Sequence, residues 1–217
     1  MKVCEIFGNT LQGECHALIG LPMIFIRLSG CNLKCEMRTT KFVCDTRYHT
    51  KGTEMSINKI LNEAEMLSEF GSMKNICITG GNPSICKDIN TLIKALLKKK
   101  YKVFIEDNGS IKFPEEYKNC VVVCSPKYYF NLKRWMFYKH NKPNYFKFVY
   151  TSDLHEHILH FIRRYKISRN KISIMPEGAT RDELINNSER VVLFCYQHNL
   201  RFSPREHIMI WNKKRGI

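Results

Sequence analysis

No apolar run in this chain of 217 residues approaches the roughly 18 needed to cross a bilayer as a helix. The first fifteen residues carry Glu5, Gln12 and Glu14 where a secretory signal needs an uninterrupted apolar stretch, so the expected location is the reducing cytoplasm, with no membrane contact. Internal repeats, low-complexity tracts and linkers are also missing. At this length the chain reads as a single domain, 1–217, able to remove about 70% of its unfolded surface from water without a disulfide or zinc staple. Acidic residues are scarce: 20 Asp and Glu stand against 35 Lys and Arg, a formal charge of +15. Such a balance attracts polyanions and small anionic substrates alike, and it leaves a nucleic-acid surface open beside the plainer reading of lysines such as Lys98-Lys99-Lys100 as a solvated face.

Cysteine, by contrast, is plentiful. Ten thiols in a reducing compartment point to metal ligands, catalytic groups or small core residues before a disulfide framework. Cys77 and Cys124 fall in apolar strand runs and Cys195 on a helical stripe, where a thiol packs as a small hydrophobe. The β-branched and aromatic runs Met23 to Leu28, Ile76 to Thr79, Val103 to Glu106, Val121 to Cys124, Phe146 to Tyr150 and Ile172 to Met175 predict buried strands. Between them lie helical stripes, with starts signalled by Ser56, Asp88, Asp153 with Glu156, and Thr180 with Glu183. Alternating strands and helices imply an α/β fold with a parallel sheet, open or curled as a partial barrel, and functional groups at the carboxyl ends of the strands. Five polar or glycine-bearing segments follow the runs and belong on that rim: Ser29-Gly30-Cys31, Gly80-Gly81-Asn82-Pro83, Asp107-Asn108-Gly109, Ser125-Pro126-Lys127 and Pro176-Glu177-Gly178. Only Lys127 to Pro143, with interleaved aromatics and bases, interrupts the pattern, as an embellishment.

Gly30-Cys31-Asn32-Leu33-Lys34-Cys35 is the strongest chemical signal, followed after eight residues by Cys44-Asp45-Thr46. Three thiolates just past a strand can hold three irons of a four-iron cluster and leave the fourth iron open to an external ligand. A zinc site would need a fourth ligand such as His16 or His49, and neither has finger spacing.

At these residues the chain resembles the radical S-adenosylmethionine (SAM) superfamily, and within it the 7-carboxy-7-deazaguanine synthases of queuosine biosynthesis. The resemblance rests on Glu5-Ile6-Phe7 with Gln12-Gly13-Glu14, Phe25-Ile26-Arg27 leading into Gly30-Cys31-Asn32-Leu33, Cys44-Asp45-Thr46, Thr79-Gly80-Gly81, Ser125-Pro126-Lys127 and the ending Trp211 to Ile217. It implies a partial (β/α) barrel of about six parallel strands with short additional N- and C-terminal segments. Two departures stand out. Most relatives have two residues, not eight, between the cysteines equivalent to Cys35 and Cys44, which implies an inserted loop; and Asn82 occupies the place where many have Glu.

The cofactors implied are a [4Fe-4S] cluster on Cys31, Cys35 and Cys44, SAM on its open iron, and magnesium on Thr46 with Asp45 as an outer-shell group. SAM would lie against Gly80 and Gly81, whose missing side chains admit its amino group, with Asn82, Asn108, Ser125, Lys127 and Glu177 as further contacts. Read without the family, Ser125 and its neighbours are turns or caps. The substrate implied is 6-carboxy-5,6,7,8-tetrahydropterin, converted to 7-carboxy-7-deazaguanine with loss of ammonia. Gln12 and Glu14 complement its amino and lactam edge, and Arg27, costly to bury without an anion, suits its carboxylate or else pairs with Glu5 or Glu14. His207 lies in the matching stretch, and the tail 208–217 would close over the substrate, with the Ile217 carboxylate as an acceptor. A flavodoxin- or ferredoxin-type reductant, a homodimer and no direct nucleic-acid contact complete the expectation. The rivals are another small radical enzyme, such as a glycyl-radical activase, and a basic zinc module binding RNA.

Overall fold

The computed structural model describes residues 1–15, 18–35, 44, 50–68 and 73–216. Its elements, in order, are β1 (Lys2–Leu11), β2 (Pro22–Leu28), β3 (Thr53–Glu54), α1 (Ile57–Leu67), β4 (Asn75–Gly80), α2 (Ile89–Lys98), β5 (Lys102–Asp107), β6 (Val121–Cys124), β7 (Lys127–Tyr129), β8 (Arg134–Met136), β9 (Tyr145–Tyr150), α3 (His155–Arg164), β10 (Ile172–Pro176), α4 (Arg181–His198), β11 (Arg201–Phe202) and α5 (Glu206–Trp211). One sheet runs β11-β10-β9-β6-β5-β4-β2-β1-β3. From β2 to β11 each strand pairs parallel with its neighbour, as expected of a partial (β/α) barrel, with the two-residue β11 added to the six expected strands. β1 pairs antiparallel with β2, and β3 with β1. The Lys127 to Pro143 embellishment carries an antiparallel hairpin of β7 and β8.

Side chains alternate across each strand, and the alternation sorts them. Ile24, Ile26, Leu28, Ile76, Ile78, Val103 and Ile105 pack with Ile60, Leu61, Leu92 and Leu96 from α1 and α2. Phe146, Phe148, Ile172 and Ile174 do the same with Ile158, Phe161, Val191 and Phe194 from α3 and α4. Burying each such side chain stabilises the fold by about 1.5–3 kcal/mol. The intervening residues face the other way: Met23, Phe25, Cys77, Phe104 and Val123 make an apolar plug with Cys15 and Leu18. Arg27, Thr79 and Glu106 lie on that same inner face toward the carboxyl ends of their strands, and Lys147 joins them from the middle of β9.

Two helix starts form as expected: Ser56 accepts from Lys59 N, and Thr180 with Glu183 completes a capping box. Two do not. Asp88 makes no side-chain cap bond, and a 3₁₀ turn over Ser152–Leu154 takes up the chain ahead of α3, so Asp153 is not its cap.

Candidate active site

The inner face and the rim loops enclose a cavity of about 920 Å³. Its wall is built by sheet register. Glu5 on β1 sits opposite Arg27 on β2, Arg27 opposite Thr79 on β4, and Glu106, Lys147, Val149 and Met175 continue the wall on β5, β9 and β10. The tail, from Asn212 to Gly216, forms part of the lining.

At one end stand the cysteines. Cys31, Cys35 and Cys44 all line the cavity and pack in one group with Leu33, Tyr129 and Met136, while Tyr129 Oη accepts from Lys34 N at 2.8 Å. Burial pushes the Cys31 thiol up, against the opposing pull of Leu33 N–H, Lys127 and Asn108. Among the described residues no three His, Cys, Asp or Glu side chains gather as ligands of a single ion. A four-iron cluster asks for something else, one thiolate per iron, and three thiols on one partly apolar wall fit that demand. Residues 36–43 and the magnesium candidates Asp45 and Thr46 lie outside the described residues, as do His16, His49 and Ile217.

The glycine loop packs on the protein itself. A Cβ on Gly81 would come within 1.9 Å of Gly30 O, and one on Gly80, at φ +140°, within 2.1 Å of Leu28 O. These glycines are thus required by the close approach of the loop to the end of β2, whatever ligand they also meet. Asn82 is 1% exposed and is absent from the cavity lining. Its Nδ2 donates to Asn32 Oδ1 at 3.1 Å and its Oδ1 accepts from Asn108 N at 3.0 Å; the shorter amide is spent on knitting rim loops together. Asn108 stays on the lining, with Nδ2 3.2 Å from Asn32 Oδ1 and 3.8 Å from Cys31 Sγ. Ser125 and Lys127 also line it, and Lys127 Nζ donates to Ser125 Oγ at 2.6 Å. Glu177 is not brought to the lining; burial and the nearby Glu183 raise its pKa.

Charges meet at the other end. Gln12 Nε2 donates to Glu106 Oε1 at 3.2 Å, and Thr79 Oγ1 donates to Glu106 Oε2 at 2.9 Å. Lys147 Nζ donates to Glu14 Oε2 and lies 3.3 Å from Glu106 Oε1. Arg205 Nε reaches Glu14 Oε1 at 2.9 Å, with His207 Nε2 3.5 Å from the same oxygen. Burial alone would raise the Glu14 carboxyl, but Lys147, Arg205 and His207 hold it well below the usual range. Burial lowers the His207 pKa, against the opposing pull of Glu14. Arg27 Nε pairs with Glu5 Oε1 at 2.8 Å, so the ion-pair alternative for Arg27 is realised at a position that still faces the cavity.

The radical SAM superfamily model matches residues 25–195. A 7-carboxy-7-deazaguanine synthase of Pyrobaculum aerophilum is 31% identical over 100% of this chain and 97% of its own length. Its counterpart in Aquifex aeolicus is 30% identical over 92% and 89%. The chain belongs to the 7-carboxy-7-deazaguanine synthase family of radical SAM enzymes. The crystal structure of QueE from Escherichia coli superposes with a TM-score of 0.65 over 93% of this chain and 92% of that one, at 24% identity, and shares the fold.

Membership implies a [4Fe-4S] cluster, SAM and a reductant. No described helix is long and apolar enough to cross a membrane. Sequence reasoning missed Glu106, Lys147 and Arg205 as site residues, and offered Glu5 only as a partner for Arg27. The signal for Lys147 was present, since a lysine between Phe146 and Phe148 in a buried strand needs an anion as much as Arg27 does. For Arg205, in a loop, no local signal existed.

Proposed function

We propose that the chain is a 7-carboxy-7-deazaguanine synthase, converting 6-carboxy-5,6,7,8-tetrahydropterin to 7-carboxy-7-deazaguanine with loss of ammonia and contraction of the ring. The observation that carries the reading is one cavity lined both by the three cysteines and by Arg27 with the Gln12, Glu106 and Glu14 cluster. When bound, the reduced cluster and SAM supply a 5′-deoxyadenosyl radical.

The chain's own groups bind and orient. Arg27 receives the substrate carboxylate as a charge-assisted contact, while its bond to Glu5 keeps the guanidinium in place. Glu106 and Glu14, with Gln12 between strand and loop, offer acceptors to the pterin amino and lactam edge, and His207 presents a ring nitrogen beside them. Gly80, Gly81, Asn108, Ser125 and Lys127 receive the amino, carboxylate and ribose groups of SAM; Lys127 supplies the positive charge for the carboxylate. Asp45 and Thr46 hold magnesium as hard oxygen donors. The tail excludes water, tied down where Arg215 meets Glu5 at 3.3 Å, and the Ile217 carboxylate contributes an acceptor. The electron donor is a flavodoxin- or ferredoxin-type protein, and two copies assemble as a homodimer.

The test is anaerobic reconstitution. A brown protein with about four irons per chain that releases 7-carboxy-7-deazaguanine, faster with magnesium than with chelator, is the expected result. A colourless zinc protein, or an iron-loaded one that cleaves SAM and leaves the pterin intact, would overturn the reading, and equal rates in chelator and magnesium would remove the metal site.

A further inference from the structure

Lys147 leaves the middle of β9 toward the cavity and is 5% exposed. Its ammonium bridges two carboxylates from distant parts of the chain, Glu14 and Glu106. The titratable groups that face it are Glu14 and Cys15 from the loop after β1, Cys77 on β4, Glu106 on β5, and Arg205 and His207 at the start of α5. Burial penalises its charge, yet Glu106 and Glu14 together raise its pKa, which favours the ammonium form. Stability does not ask for such an arrangement, because packed apolar side chains often replace a buried ion triad at no cost to folding. A chemical need explains it better. Without it Glu14 would still meet Arg205 at 2.9 Å, whereas Glu106 would keep the neutral donors Gln12 and Thr79, and a buried carboxylate that has lost its countercharge is driven toward the protonated form. A protonated carboxyl is a poorer acceptor for the paired N–H groups of a pterin edge.

We propose that Lys147 is a positioning residue that supplies the countercharge shared by Glu14 and Glu106 and holds both carboxylates aimed into the cavity as acceptors for the pterin. The inference rests on the function proposed above. It is tested on reconstituted holoenzyme by comparing the wild type with Lys147→Met, which keeps length and removes charge, and with Lys147→Arg, which keeps charge. Binding of 6-carboxypterin is followed by its fluorescence, the pH profile of kcat/KM by product release, and SAM cleavage without pterin by 5′-deoxyadenosine. The Met variant is expected to bind 6-carboxypterin at least about tenfold more weakly, to shift the acid limb of kcat/KM to higher pH, and to cleave SAM at the wild-type rate; Arg restores the acid limb. Wild-type binding together with an unmoved acid limb in the Met variant would overturn the proposal. If the Met variant yields no soluble holoenzyme, Lys147→Gln, which keeps an N–H for Glu14 and lacks the charge, is read in the same way. A wild type that binds 6-carboxypterin and makes no product would count against the proposed function, while the binding titration still decides the role of Lys147.

Discussion

Replacing Gly81 by alanine perturbs the point where the glycine loop lies on the end of β2. The new Cβ would sit 1.9 Å from Gly30 O, 2.5 Å from Gly30 C and 3.0 Å from Cys31 Cβ. Backbone atoms cannot rotate away as a side chain can, so one of the two segments must move by roughly 1 Å to regain a tolerable contact. That movement breaks Asn82 N to Gly30 O, at 2.8 Å, and Gly81 N to Leu28 O, at 3.3 Å. Two hydrogen bonds at about 0.5–1.5 kcal/mol each, with about 1–3 kcal/mol of overpacking, come to about 2–6 kcal/mol, or a fall in Tm of roughly 4–24 °C for a chain of this size. Because Cys31 follows Gly30 directly, iron loading should fall with stability. The control is Gly20→Ala: Gly20, unlike Gly81, has positive φ, at +81°, but open space around it, so the expected cost is only the left-handed strain of about 1–2 kcal/mol, with full iron content. Thermal melts of the apoprotein and iron counts after reconstitution make the comparison. A Gly81→Ala protein that melts and loads iron like the wild type would refute the reasoning about loop contact.

Cys44→Ala should abolish iron binding and product formation; retention of a full cluster would mean that Cys44, across its eight-residue spacing, is no ligand. Arg215→Ala removes the contact that ties the tail to Glu5, and a several-fold rise in the pterin KM is expected, with unchanged SAM cleavage in the absence of pterin; an unaltered KM would exclude a closing role for that contact. The depressed Glu14 carboxyl makes a linkage prediction. A group whose folded pKa lies below its ordinary 4.5 stabilises the fold fully above that value and loses the contribution as pH falls through the folded pKa. The stability gap between wild type and Glu14→Gln should therefore be widest near neutrality and narrow below about pH 4.5; denaturant melts that show a gap independent of pH would contradict the salt-bridge network.

Local sequence determined the β-α order, the location of the six main parallel strands, the rim segments and the three-cysteine motif, because hydrophobic period and residue spacing are short-range properties. Thr180 with Glu183 was legible for the same reason: a capping box spans three residues. β1 was not, since most of its residues are partly buried or exposed and its pairing with β2 comes from the tertiary arrangement. Nor could the apolar runs say which of their alternate residues would face the helices and which the cavity, as a strand buried on both faces reads the same either way. Sheet register decided that, and with it the placement of Arg27, Glu106 and Lys147 on one wall. It also turned Asn82 inward to Asn32 and Asn108, and left Glu177 off the lining. The charged end of the site joins Gln12 to Glu106, Glu14 to Lys147 and Glu14 to Arg205 across 94, 133 and 191 residues. Contacts at such separations follow from how the curved sheet brings its edges and loops together, and no local period encodes them.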